Sequence, residues 1–459
     1  MAAPLRSCMA DPDIIAAIAT PPGRGGIGII RISGKNLAEL AEKIIGKLPA
    51  PRYAQLSRFL DAEKQVIDQG IAVYFPAPHS YTGEDVLELQ GHGGSAVMNL
   101  LLTQCLASGA RLAHPGEFTL RAYLNNKIDL VQAESVADVI EASTSEAARS
   151  AINSLQGQFS KKIEQVVSSL ITLRIQIEAT LDFPEEDIDT VQMLHIRATL
   201  TDIHAQLEHI FRSAQQGHLL QEGIKIALVG APNVGKSTLL NQLVEDDVAI
   251  VTDIPGTTRD TIQRTITLEG VPVHIIDTAG LRETTDIVEQ KGIERTHAVM
   301  KDAHMIIILI DASRRRPDPN DPVICNTPED KPQLIVCNKI DLCNDSPRIE
   351  HEKNRTFIHM SAKTGAGLEL LRQTILKTAG WQFQRAGEGV FTARQRHLTA
   401  LTLASEHIDK TMTFTENFLP LELLAEELRL AQSALSSITG QFTADDLLGE
   451  IFSHFCIGK

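Results

Sequence analysis

One stretch constrains the fold more than any other, and it runs from Ile224 to Leu240 as IKIALVGAPNVGKSTLL. A short apolar run, Ile226 to Val229, predicts a buried strand, and the residues after Ser237 return to helical spacing. Between them lies the pattern G-x-x-x-x-G-K-S, whose glycines let backbone N–H groups wrap a phosphate chain. The helix that follows would direct its positive N-terminal end at the same anion. The stretch therefore predicts an α/β domain with a phosphate-binding loop.

The residues of this loop have separate predicted roles. The Lys236 ammonium should reach the outer phosphates of a nucleotide, and the Ser237 hydroxyl should bind Mg²⁺. A chance glycine loop is the alternative, and the flanking strand and helix argue against it. The predicted nucleotide contacts of the loop are Asn233, Val234, Gly235, Lys236, Ser237 and Thr238.

Two segments are predicted to complete the Mg²⁺ side of the site. One follows the apolar run 271–276 and begins with an aspartate that can reach Mg²⁺ through water; it comprises Asp277, Thr278, Ala279 and Gly280. The other is a switch loop, Thr252 to Asp260, in which Thr258 is the expected second Mg²⁺ ligand. Its predicted nucleotide contacts are Thr252, Asp253, Ile254, Pro255, Gly256, Thr257 and Thr258. In Ras-like GTPases a glutamine directly after the first segment orients the attacking water. Leu281 stands at that position here, so another residue must do this.

Base selection is predicted from two later segments. The first follows the strand-like run 334–337 and contributes Asn338, Lys339 and Asp341; the second contributes Ser361, Ala362 and Lys363. Guanine presents its N1–H and its exocyclic amine side by side, so one carboxylate, that of Asp341, can accept both hydrogens. Adenine does not offer that pair and would leave polar groups of the site unpaired. The order of all these segments predicts a GTPase.

Composition limits the other functions that the chain can have. The net charge is −15 and aromatic residues make up only 4%, which argues against a broad basic surface or an aromatic platform for nucleic acid. Any RNA contact would need a local patch or a partner. The six cysteines include no C-x-x-C pair, so neither a zinc ribbon nor a disulfide framework is indicated. The longest aliphatic run, Met305 to Ile310, is too short to span a bilayer, and no secretory signal precedes Asp11, so a cytoplasmic protein is expected.

Periodicity divides the chain into four parts: an α+β domain over 1–125, a helical domain over 126–222, the GTPase domain over 223–380 and a second helical part over 381–459. Helices on both sides of an intact GTPase domain predict that this domain is inserted into the helical one. From Ile152 to Ile177, apolar residues recur every three or four positions, which predicts one long amphipathic helix. In the N-terminal part, Arg31 should lie among apolar neighbours on its strand, unless the strand is buried on the other side.

With these segments in view, the chain resembles the MnmE (TrmE) family of tRNA-modifying GTPases. The likeness covers nearly the whole chain, through ATPPGRGG near the start, GEDVLELQGHGG, HPGEFTLRA, DFPEEDID, the nucleotide motifs and the terminal FCIGK. Ribosome-assembly GTPases share motifs such as PNVGKSTLLN but are not known for these flanking segments.

The resemblance implies an N-terminal domain that binds a tetrahydrofolate derivative (5-formyl- or 5,10-methylene-tetrahydrofolate) and a GTPase domain that dimerises on binding GTP, in a homodimer. It also implies a partner, the FAD protein MnmG, in a heterotetramer or larger complex. Together the two proteins would install a carboxymethylaminomethyl-type group on C5 of the wobble uridine, U34, of certain tRNAs.

Particular residues acquire roles from the resemblance as well. Glu289 would hold the attacking water, with Glu283 as the competing carboxylate. A K⁺ ion would be bound by Asn233, Thr252, Ile254 and Thr257, and folate by Arg31, Glu88, Lys127 and Lys459. The terminal Phe455 to Lys459 is apolar around Cys456 and is expected to be docked. Cys456 is either a nucleophile in the modification or a buried structural cysteine.

Two other functions remain open at this point. One is a regulatory GTPase that acts on the ribosome and has no modification chemistry. The other is a scaffold whose dimerisation is controlled by GTP and which has no affinity for folate.

Overall fold

The structure, a computed structural model, describes residues 13–182, 190–245, 263–277, 299–313, 327–328, 330–343, 345–352, 355–382, 390–416, 420–440 and 458. By their contacts, residues form two compact units. The first unit is drawn from 1–137, 154–204 and 403–459, and the second from 138–153 and 205–402.

The first unit contains a six-stranded sheet. Its strands are β1 (Ile15–Ile18), β2 (Gly25–Gly34), β3 (Gln55–Leu60), β4 (Val66–Phe75), β5 (Asp85–Gly93) and β6 (Arg111–Leu112). They lie in the order β3-β4-β5-β2-β1-β6, and every pair is antiparallel except β1 with β6. The first helices of the chain are α1 (Ala38–Ile45), α2 (Ser95–Ala107) and α3 (Glu117–Leu124). Of these, α1 and α2 contribute apolar side chains to the same core as the sheet.

Strand β2 settles on which side Arg31 lies. Ile30 and Ile32 are fully buried in the core shared with α1 and α2, whereas Ile27 is 68% exposed. Since side chains alternate along a strand, Arg31 points away from that core. The strand is therefore buried on the other side, but the side of Arg31 is covered as well, by a separate apolar cluster that includes Ala17 and Phe118. Both arrangements that the sequence left open thus hold in part.

Further helices lie in one of the two units or are divided between them. They are α4 (Leu130–Glu141), α5 (Ser145–Leu155), α6 (Gln158–Asp182), α7 (Thr190–Glu222), α10 (Gln395–Glu416) and α11 (Leu421–Thr439). Helices α6 and α11 lie in the first unit, α5 lies almost wholly in the second, and the other helices on this list have residues in both units. Helix α6 packs along α11, and their stripes of apolar side chains are buried. Segments from before and after the GTPase region thus bury their apolar faces together, as expected for an inserted domain.

The prediction of one helix from Ile152 to Ile177 is wrong. The chain forms α5 and α6, separated at Gly157, whose φ of +78° is left-handed and ends the first helix. Ile152 is 41% exposed and does not belong to the buried stripe, which includes Phe159, Ile163 and Val166.

The second unit contains a seven-stranded sheet. Its strands are β7 (Ile224–Gly230), β8 (Gln263–Leu268), β9 (Val271–Asp277), β10 (Met305–Asp311), β11 (Gln333–Asn338), β12 (Arg348–Glu352) and β13 (Arg355–His359), in the order β12-β13-β11-β10-β7-β9-β8. The five strands from β13 to β9 are mutually parallel, and β12 and β8 are antiparallel edges. Helices α8 (Lys236–Glu245) and α9 (Leu368–Thr378) complete the described elements of this sheet's domain. Ligands bind at the carboxyl ends of such strands, where the predicted loops lie.

These elements confirm the predicted fold class: an N-terminal α+β region, an all-α region and a P-loop-type α/β region between helices. Among the residues that the structure describes, no helix is both long enough and apolar enough to cross a membrane. The cysteines in those ranges are free thiols: Cys105 and Cys337 are buried, and Cys343 is exposed.

Candidate functional site

The phosphate loop joins β7 to α8 as the sequence predicted. Lys236 is the first residue of α8 and its residue surface is only 7% exposed. Its Nζ donates to the carbonyl oxygens of Gly230 (2.6 Å) and Ala231 (3.0 Å), at the end of β7. An ammonium group has three donors and a compact charge, so a lysine held here can bind a phosphate oxygen that enters the loop.

Two residues of the loop adopt left-handed backbone conformations. Gly235 has a φ of +103°, and a Cβ added there would lie 2.4 Å from Nδ2 of Asn338. Glycine is therefore required both by the conformation and by the close approach of the asparagine. Asn233 has a φ of +65°, a conformation that asparagine tolerates better than most residues.

Asn338 connects the phosphate loop to the base-binding loops. Its amide Nδ2 donates to the carbonyl oxygen of Val234 (2.8 Å), and its Oδ1 accepts from the backbone N–H of Ala362 (2.8 Å). The residue is 2% exposed, so both bonds are shielded from water. One side chain thereby fixes three predicted segments relative to one another.

The predicted guanine-binding carboxylate is also held in place. Ser361 Oγ donates to Oδ1 of Asp341 (2.5 Å), and the backbone N–H of Thr364 donates to the same hydroxyl (3.3 Å). Asp341 lies in the short 3₁₀ helix Ile340–Leu342 and is half-buried. A carboxylate oriented in this way can accept the two parallel N–H groups of guanine.

Lys339 has contacts on both sides of the site. Its Nζ donates to the carbonyl oxygen of Asn233 (2.8 Å) and to Oδ2 of Asp311 (2.7 Å). Sequence reasoning missed Asp311, although it ends the apolar strand β10 and is the register neighbour of Asn338 on β11. Burial alone would raise the pKa of the Asp311 carboxyl, but the hydrogen bonds from Lys339 and Ser313 outweigh it and hold that pKa below its ordinary value.

The structure describes only some of the other predicted nucleotide-site residues. Ser237 and Thr238 lie exposed in the first turn of α8, and Asp277 ends β9, whose neighbour in the sheet is β7. Lys363 is exposed in the base-binding loop. The following predicted residues lie outside the described residues: Thr252, Asp253, Ile254, Pro255, Gly256, Thr257, Thr258, Thr278, Ala279, Gly280, Glu283, Glu289, Cys456 and Lys459.

In the first unit, the structure pairs two of the predicted folate residues. Arg31 and Glu88 are register neighbours on β2 and β5, and Nε of Arg31 donates to Oε1 of Glu88 at 3.0 Å. The guanidinium carbon lies 5.4 Å from the centre of the Tyr81 ring and 5.9 Å from that of Phe118. A guanidinium near aromatic rings gains cation–π attraction, which adds to the ion pair.

Tyr81 and Phe118 belong to this cluster and were missed from the sequence. Tyr81 lies two residues before the GED segment and Phe118 lies within HPGEFTLRA, so both signals lay in or near the quoted motifs. The Tyr81 hydroxyl shares a 2.8 Å hydrogen bond with Thr119, and burial raises the pKa of that phenol. Lys127 donates to the carbonyl oxygen of Pro78 (2.9 Å), on the loop that carries Tyr81.

A network of ion pairs connects the loop that carries Tyr81 to helix α3. Arg121 donates to Glu84 (2.8 Å) and to Asp13 (2.8 Å), and Arg111 donates to Glu117 (2.9 Å). Burial would raise the pKa of the Glu117 carboxyl, but hydrogen bonds from Arg111 and the His114 backbone leave it lowered. The charged residues of HPGEFTLRA thus stabilise the structure around the Arg31 site.

The end of the chain meets the same sheet at one described residue. Gly458 is buried with a φ of +102°, and a Cβ added there would lie 2.4 Å from the carbonyl oxygen of Ile18. Ile18 ends β1, and β1 is the neighbour of β2, on which Arg31 lies. Gly458 therefore lies against Ile18, the residue that follows Ala17, and Ala17 is the register partner of Arg31.

Comparisons with known proteins match nearly the whole chain. A family profile described as "MnmE helical domain" matches residues 130–456, and one described as "GTP-binding protein TrmE N-terminus" matches residues 14–127. A protein of Nitrosomonas europaea named "tRNA modification GTPase MnmE" is 61% identical over 98% of this chain and 100% of its own length. One of the same name from Neisseria meningitidis serogroup C is 52% identical, covering 97% of this chain and 98% of that protein. Among solved structures, a variant of Era from Aquifex aeolicus with GDP and AlF₄⁻ is 26% identical over 40% of this chain and 65% of its own, with a TM-score of 0.27.

Proposed function

The chain belongs to the MnmE family, and we propose on that premise that it hydrolyses GTP and takes part in the modification of tRNA. One structural observation carries the GTP part of this proposal: Asn338 bonds Val234 on one side and Ala362 on the other. The phosphate loop and the base-binding loops therefore form a single site. With Asp341 oriented by Ser361, that site suits a guanine nucleotide.

We propose the following roles within this site. Lys236 binds the outer phosphates, and Ser237 and Thr258 bind Mg²⁺, with Asp277 reaching it through water. Ser237 fits, because it lies exposed at the N-terminal turn of α8 beside the loop. Mg²⁺, when bound, offsets the charge of the phosphates. Glu289 orients the attacking water, and Glu289→Ala should bind GTP without hydrolysing it; near-normal turnover would instead point to Glu283.

The loop also suits a monovalent cation. We propose K⁺ at Asn233, with Thr252, Ile254 and Thr257 as further ligands; the left-handed Asn233 is exposed at the mouth of the loop, which supports this. A cation there would offset charge developing between the β- and γ-phosphates. Hydrolysis should be faster in K⁺ than in Na⁺, and equal rates in the two salts would contradict the proposal.

The Arg31 cluster suits a tetrahydrofolate derivative, which when bound supplies a one-carbon unit. Glu88 can accept from the N–H edge of a pterin, and the half-buried Tyr81 provides an aromatic ring close by, while Phe118 is fully buried and supports Arg31 from within the protein. Arginine has five N–H donors and one of them serves Glu88, so Arg31 can bind its partner and a ligand anion together. We assign Lys127 and the terminal Lys459 to the anionic glutamate tail of the ligand.

The finer steps of the modification rest on the family resemblance. We propose that the chain acts in the cytoplasm as a homodimer, with an FAD-containing MnmG-like partner, to install a carboxymethylaminomethyl-type group at C5 of U34. The net charge of −15 supports a need for such a partner in contacting RNA. Cys456→Ser tests the role of the terminal cysteine: loss of modification with intact folding would make it chemical, and normal modification would make it structural.

Mass spectrometry of wobble uridines tests the proposed function directly. Transfer RNA from a deletion strain should lack the C5 modification, the wild-type gene should restore it, and Lys236→Met should not. If wobble uridines from the deletion strain and from the wild-type strain carry the same modification, and the protein co-purifies with ribosomal subunits, the chain is a ribosome-assembly GTPase instead.

A further inference from the structure

Asp311 is a carboxylate at the nucleotide site to which no motif assigns a role. It ends β10, its side chain is 7% exposed, and its Oδ2 lies 2.7 Å from Nζ of Lys339. Its Oδ1 accepts from both the backbone N–H (3.0 Å) and the hydroxyl (2.6 Å) of Ser313. The carboxylate is therefore fixed on one side by Ser313 and holds the lysine with the other.

Lys339 transmits this constraint to the phosphate loop. The same Nζ donates to the carbonyl oxygen of Asn233 at 2.8 Å, so one ammonium group connects the end of β10 with the left-handed residue of the loop. Lys339 itself has a φ of +70°, so its backbone is held in an uncommon conformation for a lysine. A long side chain has considerable rotamer freedom to lose, and an ion pair in a half-buried position reduces that freedom before the nucleotide arrives.

We propose that Asp311 is a positioning residue for nucleotide binding. It acts through Lys339, which holds the base-binding loop at a fixed position relative to the carbonyl of Asn233 in the phosphate loop. This inference rests on the proposed binding of GTP. In this proposal Asp311 acts on the nucleotide only through Lys339. Its effect is to keep Lys339 extended between the two loops, so that both meet the ligand already aligned.

The test variant is Asp311→Asn, which keeps the shape and the bonds to Ser313 but removes the charge. Because the charge-assisted hydrogen bond to Lys339 is lost, the release of a fluorescent GDP analogue should be about tenfold faster, which corresponds to about 1.4 kcal/mol. The matched control is Glu208→Gln, which removes an exposed carboxylate paired with Arg212 on α7, in the same unit and away from the nucleotide loops in sequence. Exposed pairs contribute little, so the control should release GDP at the wild-type rate.

A double-mutant cycle separates positioning from a purely structural role. Lys339→Met keeps the aliphatic stem and removes the ammonium group through which Asp311 acts. In that background Asp311→Asn should have no further effect on GDP release, because the two changes remove the same interaction. If the two substitutions speed GDP release by factors that multiply in the double variant, the inference is overturned. A wild-type release rate in the single Asp311→Asn variant would overturn it as well.

A second variant covers the case in which Asp311→Asn fails to fold. Ser313→Ala removes one bond that orients the carboxylate and should speed release about threefold, again only when Lys339 is present; a wild-type rate would overturn the inference. Failure of the proposed function would look different, because the wild-type protein itself would not bind the GDP analogue.

Discussion

The two candidate sites each contain a basic side chain, and they hold it in opposite ways. In the phosphate loop, the Lys236 ammonium donates to two main-chain carbonyls that lie within a few residues of it. In the N-terminal sheet, the Arg31 guanidinium is paired with the carboxylate of Glu88 and lies close to two aromatic rings. The first arrangement is built by one continuous segment, and the second by residues from four separate ones.

This difference indicates what each site can bind. Neutral carbonyls are weak competitors for a phosphate, so Lys236 can exchange them for an anion with a large electrostatic gain. Arg31 already has a counter-charge, so a plain anion would gain less there. A ligand with donors for Glu88 and an anionic group for the basic residues would use both partners, as a folate could. The predictions below test this contrast, beginning with the largest effect.

Lys236→Met should have the largest effect. Loss of a charged donor to the phosphates should lower kcat for GTP hydrolysis by roughly 100- to 1,000-fold. Folate binding, measured by equilibrium dialysis, should be unchanged, because the N-terminal site shares no residue with the loop. Lys377→Met, in the last turn of α9 and exposed, is the control and should hydrolyse GTP normally. Normal hydrolysis by the Lys236 variant would refute the assignment of the loop.

Asp341→Asn should change which base the nucleotide site prefers. It should weaken GTP binding roughly 100-fold, because a buried charged partner of guanine is lost. It should gain affinity for xanthosine triphosphate, whose base has an oxygen where guanine has its amine. Competition binding with the two nucleotides measures both changes. The assignment of Asp341 fails if the variant prefers GTP as strongly as the wild type does.

Glu88→Gln tests the paired site with a smaller expected effect. The amide keeps one acceptor but loses the charge that favours pterin N–H donors and Arg31, so folate affinity should fall about tenfold. GTP hydrolysis should not change. Glu39→Gln, an exposed residue in the first turn of α1, is the matched control. If the two variants bind folate equally well, Glu88 does not belong to the site.

Gly458→Ala should have the smallest effect, about threefold on folate affinity. The new Cβ would meet the carbonyl of Ile18 in a left-handed conformation, which costs about 1–3 kcal/mol and should displace residue 458 from β1. Gly46→Ala provides a control with a similar φ (+80°) but no atom within 4 Å of the added Cβ. Equal folate affinity in both variants would show that the contact of Gly458 with Ile18 does not contribute.

The same contrast explains what could be predicted from the sequence. The phosphate loop was predictable because strand, loop and helix are consecutive and each residue type has a local reason. Asp311, Tyr81 and Phe118 were not, because sheet register and packing bring them to their sites from distant segments. The break at Gly157 was hidden since the apolar spacing continues across it, and a single glycine disfavours a helix by only about 1 kcal/mol.

The central claim is that the linked loops form a guanine-specific nucleotide site, and equilibrium binding to the wild-type protein in Mg²⁺ tests it most directly. GTP and GDP should bind, and ATP should bind at least roughly 100-fold more weakly, because adenine lacks the paired donors for Asp341. Equal affinity for ATP and GTP would contradict the account.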